Sequence, residues 1–235
     1  MKKLFIASTS TVHGKGYLEY MLPELSVFFK GIQEILFIPY ARPSGLTHDE
    51  YTSRAQSGFE KINIKLKGIH QFKNPIEAVN LAKAIFVGGG NTFLLTKQLY
   101  ANKLISTIKN VVENGVPYFG TSAGSVITGV TMQNTNDMPI IYPPSFDTFK
   151  FLNFNLNCHY LDPDTNSTHM GETRETRINE YHTINKTPVL GLREGSWLLF
   201  KGNKITLKGG FNARLFQQNK AALELPSETD FSFLM

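Results

Sequence analysis

The fold is decided by the segment VPYFGTSAGSVITG, residues 116–129. Its apolar start predicts a buried strand, its Gly-x-Ser-x-Gly pattern predicts a sharp turn at Ser122, and the residues that follow predict a helix. Small residues on both sides of Ser122 let the backbone fold tightly, which exposes the hydroxyl and leaves the first helical amides without partners. Two interpretations of Ser122 are open on this pattern: a catalytic nucleophile and an ordinary helix N-cap.

Strand and helix patterns alternate through the first half of the chain. Apolar runs predict strands at 3–8, 34–40, 64–70 and 84–87, and helical patterns lie at 16–30, 47–62, 75–83, 91–100 and 103–114. This alternation predicts an α/β fold with three layers and a mostly parallel sheet. Ligands bind such sheets outside the carboxyl ends of the strands, where the Ser122 turn falls.

The second half is less regular. Residues 131–148 are rich in Asn, Pro and Asp and predict a loop, whereas the alternation at 151–159 predicts a strand. A helix is predicted at 172–185, and two strands flanking Gly202-Asn203 predict a hairpin. No linker or repeat interrupts the 235 residues, so we expect one α/β domain spanning 1–235.

Composition excludes several classes of partner. The net charge is +5, but the basic residues are scattered and do not form the stripe expected of a nucleic-acid binder. No apolar run approaches the roughly 20 residues that a membrane helix needs. The single cysteine excludes an internal disulfide and a Cys-rich zinc site, and it favours a reducing cytoplasm.

A serine nucleophile needs a base within hydrogen-bond reach. His159 ends a predicted buried strand just before a polar loop, which favours it as that base over His70, a rival near another strand end. Cys158 is excluded as the nucleophile paired with His159, because adjacent strand residues point to opposite faces. Both histidines could equally be structural.

The turn Gly88-Gly89-Gly90-Asn91 follows a strand and opens a helix. Its amides could cradle an oxyanion, or the segment could be a plain strand-to-helix turn. It has neither the spacing of a dinucleotide fingerprint nor a Gly-Lys-Ser/Thr, so we favour the oxyanion role.

Two further clusters of charged residues each allow two interpretations. A loop carries metal-binding residue types, but their spacing matches no metal motif and the loop's Asp and Asn residues also suit turns. The residues in question are His159, Asp162, Asp164, His169 and Glu172. The helix start at 171–177 alternates in charge, which fits surface ion pairs or an inward arginine that holds a substrate carboxylate.

Five blocks occur in an order that resembles the peptidase E family, α-aspartyl dipeptidases of the serine peptidase class that also contains cyanophycinase. They are FVGGGNTF (86–93), GTSAG (120–124), TNDMPI (135–140), GETRE (171–175) and GLREGSW (191–197). The resemblance implies a fold similar to class I glutamine amidotransferase domains. It further implies a cytoplasmic enzyme that works without metal or other cofactor, as a monomer or homodimer, on small acidic peptides.

The resemblance also implies roles for individual residues. Ser122 is implied as nucleophile, His159 as base and Glu194 as the carboxylate that orients it. The amides of Gly89, Gly90 and Ala123 are expected to form the oxyanion hole. Arg174 is expected to bind the substrate β-carboxylate, with Asp137 and Asn91 lining the same site. Thr121 and Cys158 stand where the best-known members carry Trp and Pro, which is expected to alter specificity.

Two alternatives to an α-aspartyl dipeptidase differ in what the site does. A cyanophycinase-like enzyme would keep the triad and cut β-aspartyl links, but the sequence carries no dedicated acidic cluster for an arginine side chain. A non-catalytic binding module with an amidotransferase-like fold would not need the serine, histidine and glutamate that this chain carries.

Overall fold

A seven-stranded sheet forms the centre of the computed structural model, which describes residues 1–164, 166, 168 and 170–235. In spatial order the strands are β3 (Lys65–Gly68), β2 (Glu34–Ile38), β4 (Ile85–Val87), β5 (Tyr118–Thr121), β1 (Lys3–Ala7), β8 (Ser196–Lys201) and β9 (Lys204–Gly209). The first five run parallel, and the hairpin of β8 and β9 joins antiparallel at β1. The predicted α/β class and mostly parallel sheet are confirmed.

Helices cover both faces of this sheet, as the three-layer prediction requires. The helices α1 (Leu22–Phe28) and α2 (His48–Phe59) pack on the face that carries Phe5. The opposite face, which carries Leu4, is covered by α3 (Pro75–Leu81), α4 (Thr92–Ala101) and α5 (Leu104–Glu113). Consecutive residues of β1 face opposite layers because side chains alternate along a strand.

Local signals place helix starts well and helix lengths less well. The helix predicted at 47–62 does begin at Thr47, its N-cap, which forms a capping box: Thr47 caps the Glu50 amide and the Glu50 side chain accepts from the Thr47 amide. The helix predicted at 16–30 is shorter, with a 3₁₀ turn at Glu19–Met21 followed by α1. Leu18 has a left-handed backbone with φ of 59°, which stops a helix from forming upstream of it.

A second sheet stands beside the first and supplies two of the candidate site loops. Its strands are β11 (Leu223–Leu225), β10 (Ala213–Phe216), β7 (Val189–Leu192) and β6 (Asn155–Cys158). The sequence analysis predicted neither β10 nor β11. Leucines of β6 and β7 join the apolar cluster that includes Leu4, so both sheets share a core. The single domain over 1–235 stays a prediction.

The strand predicted at 151–159 is confirmed only at 155–158, and its predicted polar face is wrong. Asn155 and Asn157 are buried, because their amides hold the loop that precedes the strand. Asn155 Oδ1 accepts from the amides of Val130 and Thr131 at 3.0 and 2.9 Å, and Asn157 Nδ2 donates to the Asn134 carbonyl at 2.9 Å. Buried amides that satisfy a loop backbone look like exposed residues in a binary pattern.

Two more α-helices and three further 3₁₀ turns, Glu60–Ile62, Ile69–Gln71 and Ser232–Leu234, complete the described elements. The short α6 (Ala123–Val126) follows β5, and α7 (Arg174–Ile184) precedes β7. None of the helices in the described part of the chain has the length and apolar character needed to cross a bilayer.

Candidate active site

Ser122 lies on a strained corner between β5 and α6. Its backbone has φ of 52° and ψ of −114°, a combination that residues other than glycine rarely adopt and that the surrounding structure must stabilise. The turn is tight because a Cβ on Gly120 would come within 2.5 Å of the Gly124 carbonyl oxygen. The Ser122 hydroxyl caps no helical amide. Ser122 thus occupies the N-cap position of α6, but its side chain does not act as a helix cap.

The hydroxyl of Ser122 instead begins a chain of hydrogen bonds. Its Oγ lies 2.9 Å from His159 Nε2, and His159 Nδ1 lies 2.6 Å from Glu194 Oε1. The side chains of His159 and Glu194 are 37% and 49% exposed, so the chain opens to solvent where a substrate can enter. The sequence analysis named these three residues, Glu194 only through the family resemblance, and the structure brings them together in one hydrogen-bonded chain, which is the geometry that a Ser-His-Glu triad would need.

The pairing of two strands explains why His159 meets Glu194 across 35 residues. β6 and β7 are parallel neighbours with Cys158 opposite Leu192, so the loops that carry His159 and Glu194 leave the sheet side by side. His159 has φ of 54°, which turns the chain sharply at the end of β6. The imidazole thereby points toward the corner after β5.

Candidate oxyanion donors lie beside Ser122. A Cβ on Gly89 would stand 3.5 Å from the Ser122 oxygen, so the two turns touch. The Gly89 carbonyl accepts from the Tyr51 hydroxyl at 3.1 Å. Since a trans peptide points its N–H opposite to its C=O, the Gly90 amide faces away from Tyr51. Among the described residues, no backbone carbonyl accepts from the amides of Gly89, Gly90 or Ala123, which leaves them available to an anion.

Comparison with known proteins places the chain in a family. The model of peptidase family S51 matches residues 4–208. The chain belongs to peptidase family S51. It is 43% identical to a peptidase E of Streptomyces coelicolor, over 99% of this chain and 94% of that one. It is 40% identical to a probable alpha-aspartyl dipeptidase of Drosophila melanogaster, over 100% of this chain and 98% of that one.

Solved structures agree on the fold of this S51 chain. A putative peptidase E of Listeria monocytogenes matches with a TM-score of 0.69 at 21% identity, covering 89% of this chain and 98% of that one. A peptidase from an acI-B1 actinobacterium matches with a TM-score of 0.70 at 15% identity, covering 99% of this chain and 97% of that one. The predicted peptidase E resemblance and the predicted enzyme class, a serine-type dipeptidase, are confirmed by the family and sequence matches.

The rival base of the S51 chain lies elsewhere. His70 follows the edge strand β3, which β2 and β4 separate from the Ser122 corner. Its Nε2 is 2.8 Å from Asp49 Oδ1, so the His70 ring is held by a hydrogen bond at the start of α2. The interpretation of His70 as the base is therefore wrong.

The metal interpretation is tested only in part. Of its residues, His169 lies outside the described residues. His159 faces Ser122 and Glu194, and Asp162 faces Arg193. No group of three or more His, Cys, Asp or Glu suited to a metal occurs within the described ranges.

Two of the predicted substrate ligands hold the fold around the site. Asn91 Oδ1 accepts from the Leu94 amide at 3.0 Å, and its Nδ2 donates to the Met138 carbonyl at 2.8 Å. Asp137 Oδ2 accepts from the amide and hydroxyl of Thr92 at 2.7 and 2.5 Å. Each polar group of Asn91 thus makes one hydrogen bond and can make another, whereas Asp137 Oδ1 has no hydrogen-bond partner among the described residues. A direct role for Asn91 stays a prediction.

Arg174 is a half-buried cation at the start of α7. Burial lowers its pKa, the neighbouring Arg177 lowers it further, and Asp137 acts in the opposite direction. No carboxylate in the described part of the chain forms an ion pair with Arg174. A bound anion would relieve both unfavourable effects, as expected for a residue that recognises a carboxylate.

Thr121 and Cys158, the two positions at which the resemblance implies a departure, are both interior. The Thr121 side chain is fully buried, so it does not line an open part of the site. Cys158 is also buried, and burial raises the pKa of its thiol far above the usual range. Cys158 is therefore held as a thiol, which agrees with its exclusion as a nucleophile.

Sequence analysis missed an ion-pair cluster that braces both triad loops. Arg193, next to Glu194, donates from Nε and Nη2 to Asp162 at 2.9 and 2.8 Å, and from Nη1 to Glu224 at 2.6 Å. Asp162 lies in the loop that follows His159. Hydrogen bonds from Arg193 lower the pKa of Asp162. The available signal was an arginine in the same short loop as the expected orienting glutamate.

Replacing Arg193 by Met should destabilise the fold by about 2 kcal/mol at pH 7, because Asp162 and Glu224 lose their hydrogen bonds to Arg193 and keep only the more distant Arg214 Nη1, at 4.0 and 3.9 Å. A carboxyl whose folded pKa is depressed contributes stability above its unfolded pKa of about 3.9 and loses it as pH falls through the lower folded value. Urea unfolding should therefore show a smaller difference from wild type below about pH 3.9. Lys150→Met, which breaks an exposed pair with Asp147, is the control and should cost little. Equal losses of stability in Arg193→Met and Lys150→Met would contradict the conclusion that Arg193 braces the two loops.

Proposed function

We propose that this chain hydrolyses dipeptides with an N-terminal aspartate through a Ser-His-Glu triad and an acyl-enzyme. The observation that carries the proposal is the continuous hydrogen-bonded chain from Ser122 through His159 to Glu194 on a strained strand-to-helix corner. The names of the Streptomyces and Drosophila relatives support the substrate class.

In the acylation step, Ser122 Oγ attacks the α-carbonyl carbon of the N-terminal aspartyl residue, which is the carbonyl of the scissile peptide bond. His159 Nε2 accepts the hydroxyl proton, and Glu194 stabilises the imidazolium that forms. The negative oxygen of the tetrahedral intermediate accepts hydrogen bonds from the amides of Ala123 and of the Gly89–Gly90 turn. The Ser122 amide itself donates to the Ala7 carbonyl at 3.2 Å, so it takes no part.

Collapse of the intermediate breaks the C–N bond. His159 gives its proton to the leaving amine, which departs as the second amino acid and leaves an aspartyl ester on Ser122. A water molecule then loses a proton to His159 and attacks the ester carbon. Ser122 leaves with that proton, and free aspartate is released. No cofactor enters either half-reaction.

Recognition of the aspartyl residue is proposed to use opposite charges. Arg174 offers its guanidinium to the substrate β-carboxylate, and Asp137 Oδ1 offers a negative oxygen to the substrate α-ammonium. Thr92 fixes the Asp137 carboxylate through the other oxygen, so the acceptor is oriented before substrate arrives. Asn91 holds the Met138 carbonyl and thereby the loop that carries Asp137.

Arg174→Ala should lower kcat/KM for Asp-Leu by roughly a hundredfold and leave Asn-Leu nearly unchanged, because only the first substrate carries the charge that Arg174 would pair. Steady-state hydrolysis of the two dipeptides gives the ratio directly. Arg177→Ala, one helical turn further along α7, is the matched control. An Arg174→Ala variant that still prefers Asp-Leu as wild type does would remove Arg174 from the pocket.

The function is tested by assaying Asp-Leu, Glu-Leu, Ala-Leu and β-Asp-Leu with and without a chelator. Cleavage of Asp-Leu alone, indifferent to chelator, supports the proposal. Cleavage of β-Asp-Leu instead favours a cyanophycinase-like enzyme, and loss of activity with chelator favours a metal hydrolase. No cleavage, together with no labelling by a fluorophosphonate, favours a non-catalytic binding module.

We also propose that the enzyme works in the cytoplasm as a monomer or homodimer, on small peptides and without nucleic acid or membrane partners. The free, buried Cys158 is compatible with a reducing compartment. Sedimentation of the purified protein would give its oligomeric state.

A further inference from the structure

Ser8 lies immediately after β1, and its fully buried hydroxyl touches both of the loops that carry the base and the carboxylate. Ser8 Oγ donates to the Leu192 carbonyl at 2.7 Å and accepts from the His159 amide at 2.9 Å. Leu192 is the last residue of β7, two positions before Glu194. One side chain therefore joins the backbone of the base loop to the backbone of the carboxylate loop.

The same end of β1 also holds the nucleophile corner. The Ala7 carbonyl accepts from the Ser122 amide at 3.2 Å and from the Ser125 hydroxyl at 2.6 Å. The Ser8 amide donates to the Ser196 carbonyl at 3.0 Å, which fixes the far side of the Glu194 loop. Two consecutive residues thus contact all three segments that carry the triad.

The Ser8 hydroxyl stands where the pairing of β6 with β7 ends. The last paired residues are Cys158 and Leu192, and His159 then turns away with φ of 54°. Within the described residues, the His159 amide donates to Ser8 Oγ and to no backbone carbonyl. Without that hydroxyl the amide would lose its acceptor, and rotation of the His159 backbone would be the cheapest way to reach water.

We propose that Ser8 is a positioning residue that sets the distance of the His159 imidazole from Ser122 and Glu194. The inference rests on the proposed triad. Ser8 touches no reacting atom, so its effect passes through the orientation of His159. A small displacement of a catalytic base can lower a rate by about a hundredfold, although the same displacement changes substrate affinity little.

A merely structural Ser8 would behave differently. Loss of a buried hydrogen bond would lower stability in either case, so stability alone does not decide. A positioning role also lowers kcat with KM nearly unchanged, slows fluorophosphonate labelling of Ser122 in protein that is still folded, and weakens the low-field proton resonance of His159 Nδ1 bound to Glu194.

The experiment compares Ser8→Ala with Thr148→Val. Thr148 is also buried and donates one hydroxyl hydrogen bond to a backbone carbonyl, that of Gly129 at 2.7 Å, but it bonds neither triad loop. Both variants should lose stability in urea. Only Ser8→Ala should lose kcat, by about tenfold to a hundredfold, with labelling slowed by a similar factor.

Normal labelling and turnover in folded Ser8→Ala would overturn the inference, as would equal losses in Thr148→Val. If Ser8→Ala fails to fold, Ser8→Cys is the second variant, because a thiol is close to a hydroxyl in size but forms only weak hydrogen bonds. Slow labelling of Ser122 is expected in Ser8→Cys as well, and normal labelling in that variant would overturn the inference. Labelling needs no peptide substrate. If wild type is labelled at Ser122 but cleaves no aspartyl dipeptide, the proposed substrate is contradicted. The labelling rates of the Ser8 variants would still decide whether Ser8 positions His159.

Discussion

Replacing Ser122 by Ala should lower kcat for Asp-Leu by roughly 10⁶-fold, the loss seen when the nucleophile of a serine triad is removed. Ser122 Oγ is the only atom of the chain that the proposed mechanism bonds to the substrate, and its 2.9 Å contact with His159 Nε2 provides the proton transfer. The residual rate would come from the free amides around the corner and from substrate binding.

The fold should tolerate this change, because the hydroxyl of Ser122 caps no amide and the strained backbone is held by its neighbours. Ser122→Ala should therefore unfold in urea near the wild-type midpoint, and a fluorophosphonate should no longer label the protein. Ser57→Ala in α2 is the control, since its exposed hydroxyl bonds only the Arg54 carbonyl. Ser122→Ala that retained a tenth of wild-type kcat would assign the nucleophile to another residue.

Local sequence signals predicted those parts of the site that depend on local sterics. The Ser122 corner is such a case, because Gly120 and Gly124 approach each other within one turn and nothing distant is needed to recognise it. The capping box at Thr47 is another. His159 was favoured because it ends a strand before a polar loop, and the structure places it there.

Glu194 could not be chosen from the residues alone. It is an exposed glutamate in a short loop, like many others, and its partner lies 35 positions away. What brings the two together is the pairing of β6 with β7, which depends on which strands neighbour each other in the second sheet. The resemblance to a family provided that information, and composition did not.

The roles of Ser8 and Asn157 also could not be predicted from the sequence, because they too depend on contacts with distant segments. Both are small polar residues that look solvent-facing in a binary pattern, and both are buried because they satisfy backbone groups of a distant loop. The chain marks such residues only by their place near the end of an apolar strand. In this fold the carboxyl ends of the parallel strands lie along one edge of the sheet, where ligands bind. A polar residue at such a strand end is therefore a better candidate for a site residue than a polar residue elsewhere in the chain.

Replacing Glu194 by Gln should lower kcat on the order of 10⁴-fold, although the amide nearly matches the carboxylate in size. Glu194 Oε1 accepts from His159 Nδ1 at 2.6 Å, which keeps Nε2 unprotonated and aimed at Ser122. A glutamine can turn its NH₂ toward Nδ1, so the imidazole would carry its proton on Nε2 and could not accept one from Ser122. It also removes the charge that stabilises the imidazolium.

Glu194→Asp separates these effects, since it keeps the charge and withdraws it by one methylene. The loss of kcat in Glu194→Asp should be smaller, about a hundredfold, because His159 keeps its proton on Nδ1 and only the distance from Nδ1 to the carboxylate is changed. Both kcat and the rate of fluorophosphonate labelling should fall from wild type to Glu194→Asp and again to Glu194→Gln, with KM nearly constant. Glu228→Gln, at a surface pair with Lys208, is the control and should match wild type. Labelling of Glu194→Gln at the wild-type rate would mean that His159 is oriented without a carboxylate, and the triad would reduce to the Ser122–His159 pair.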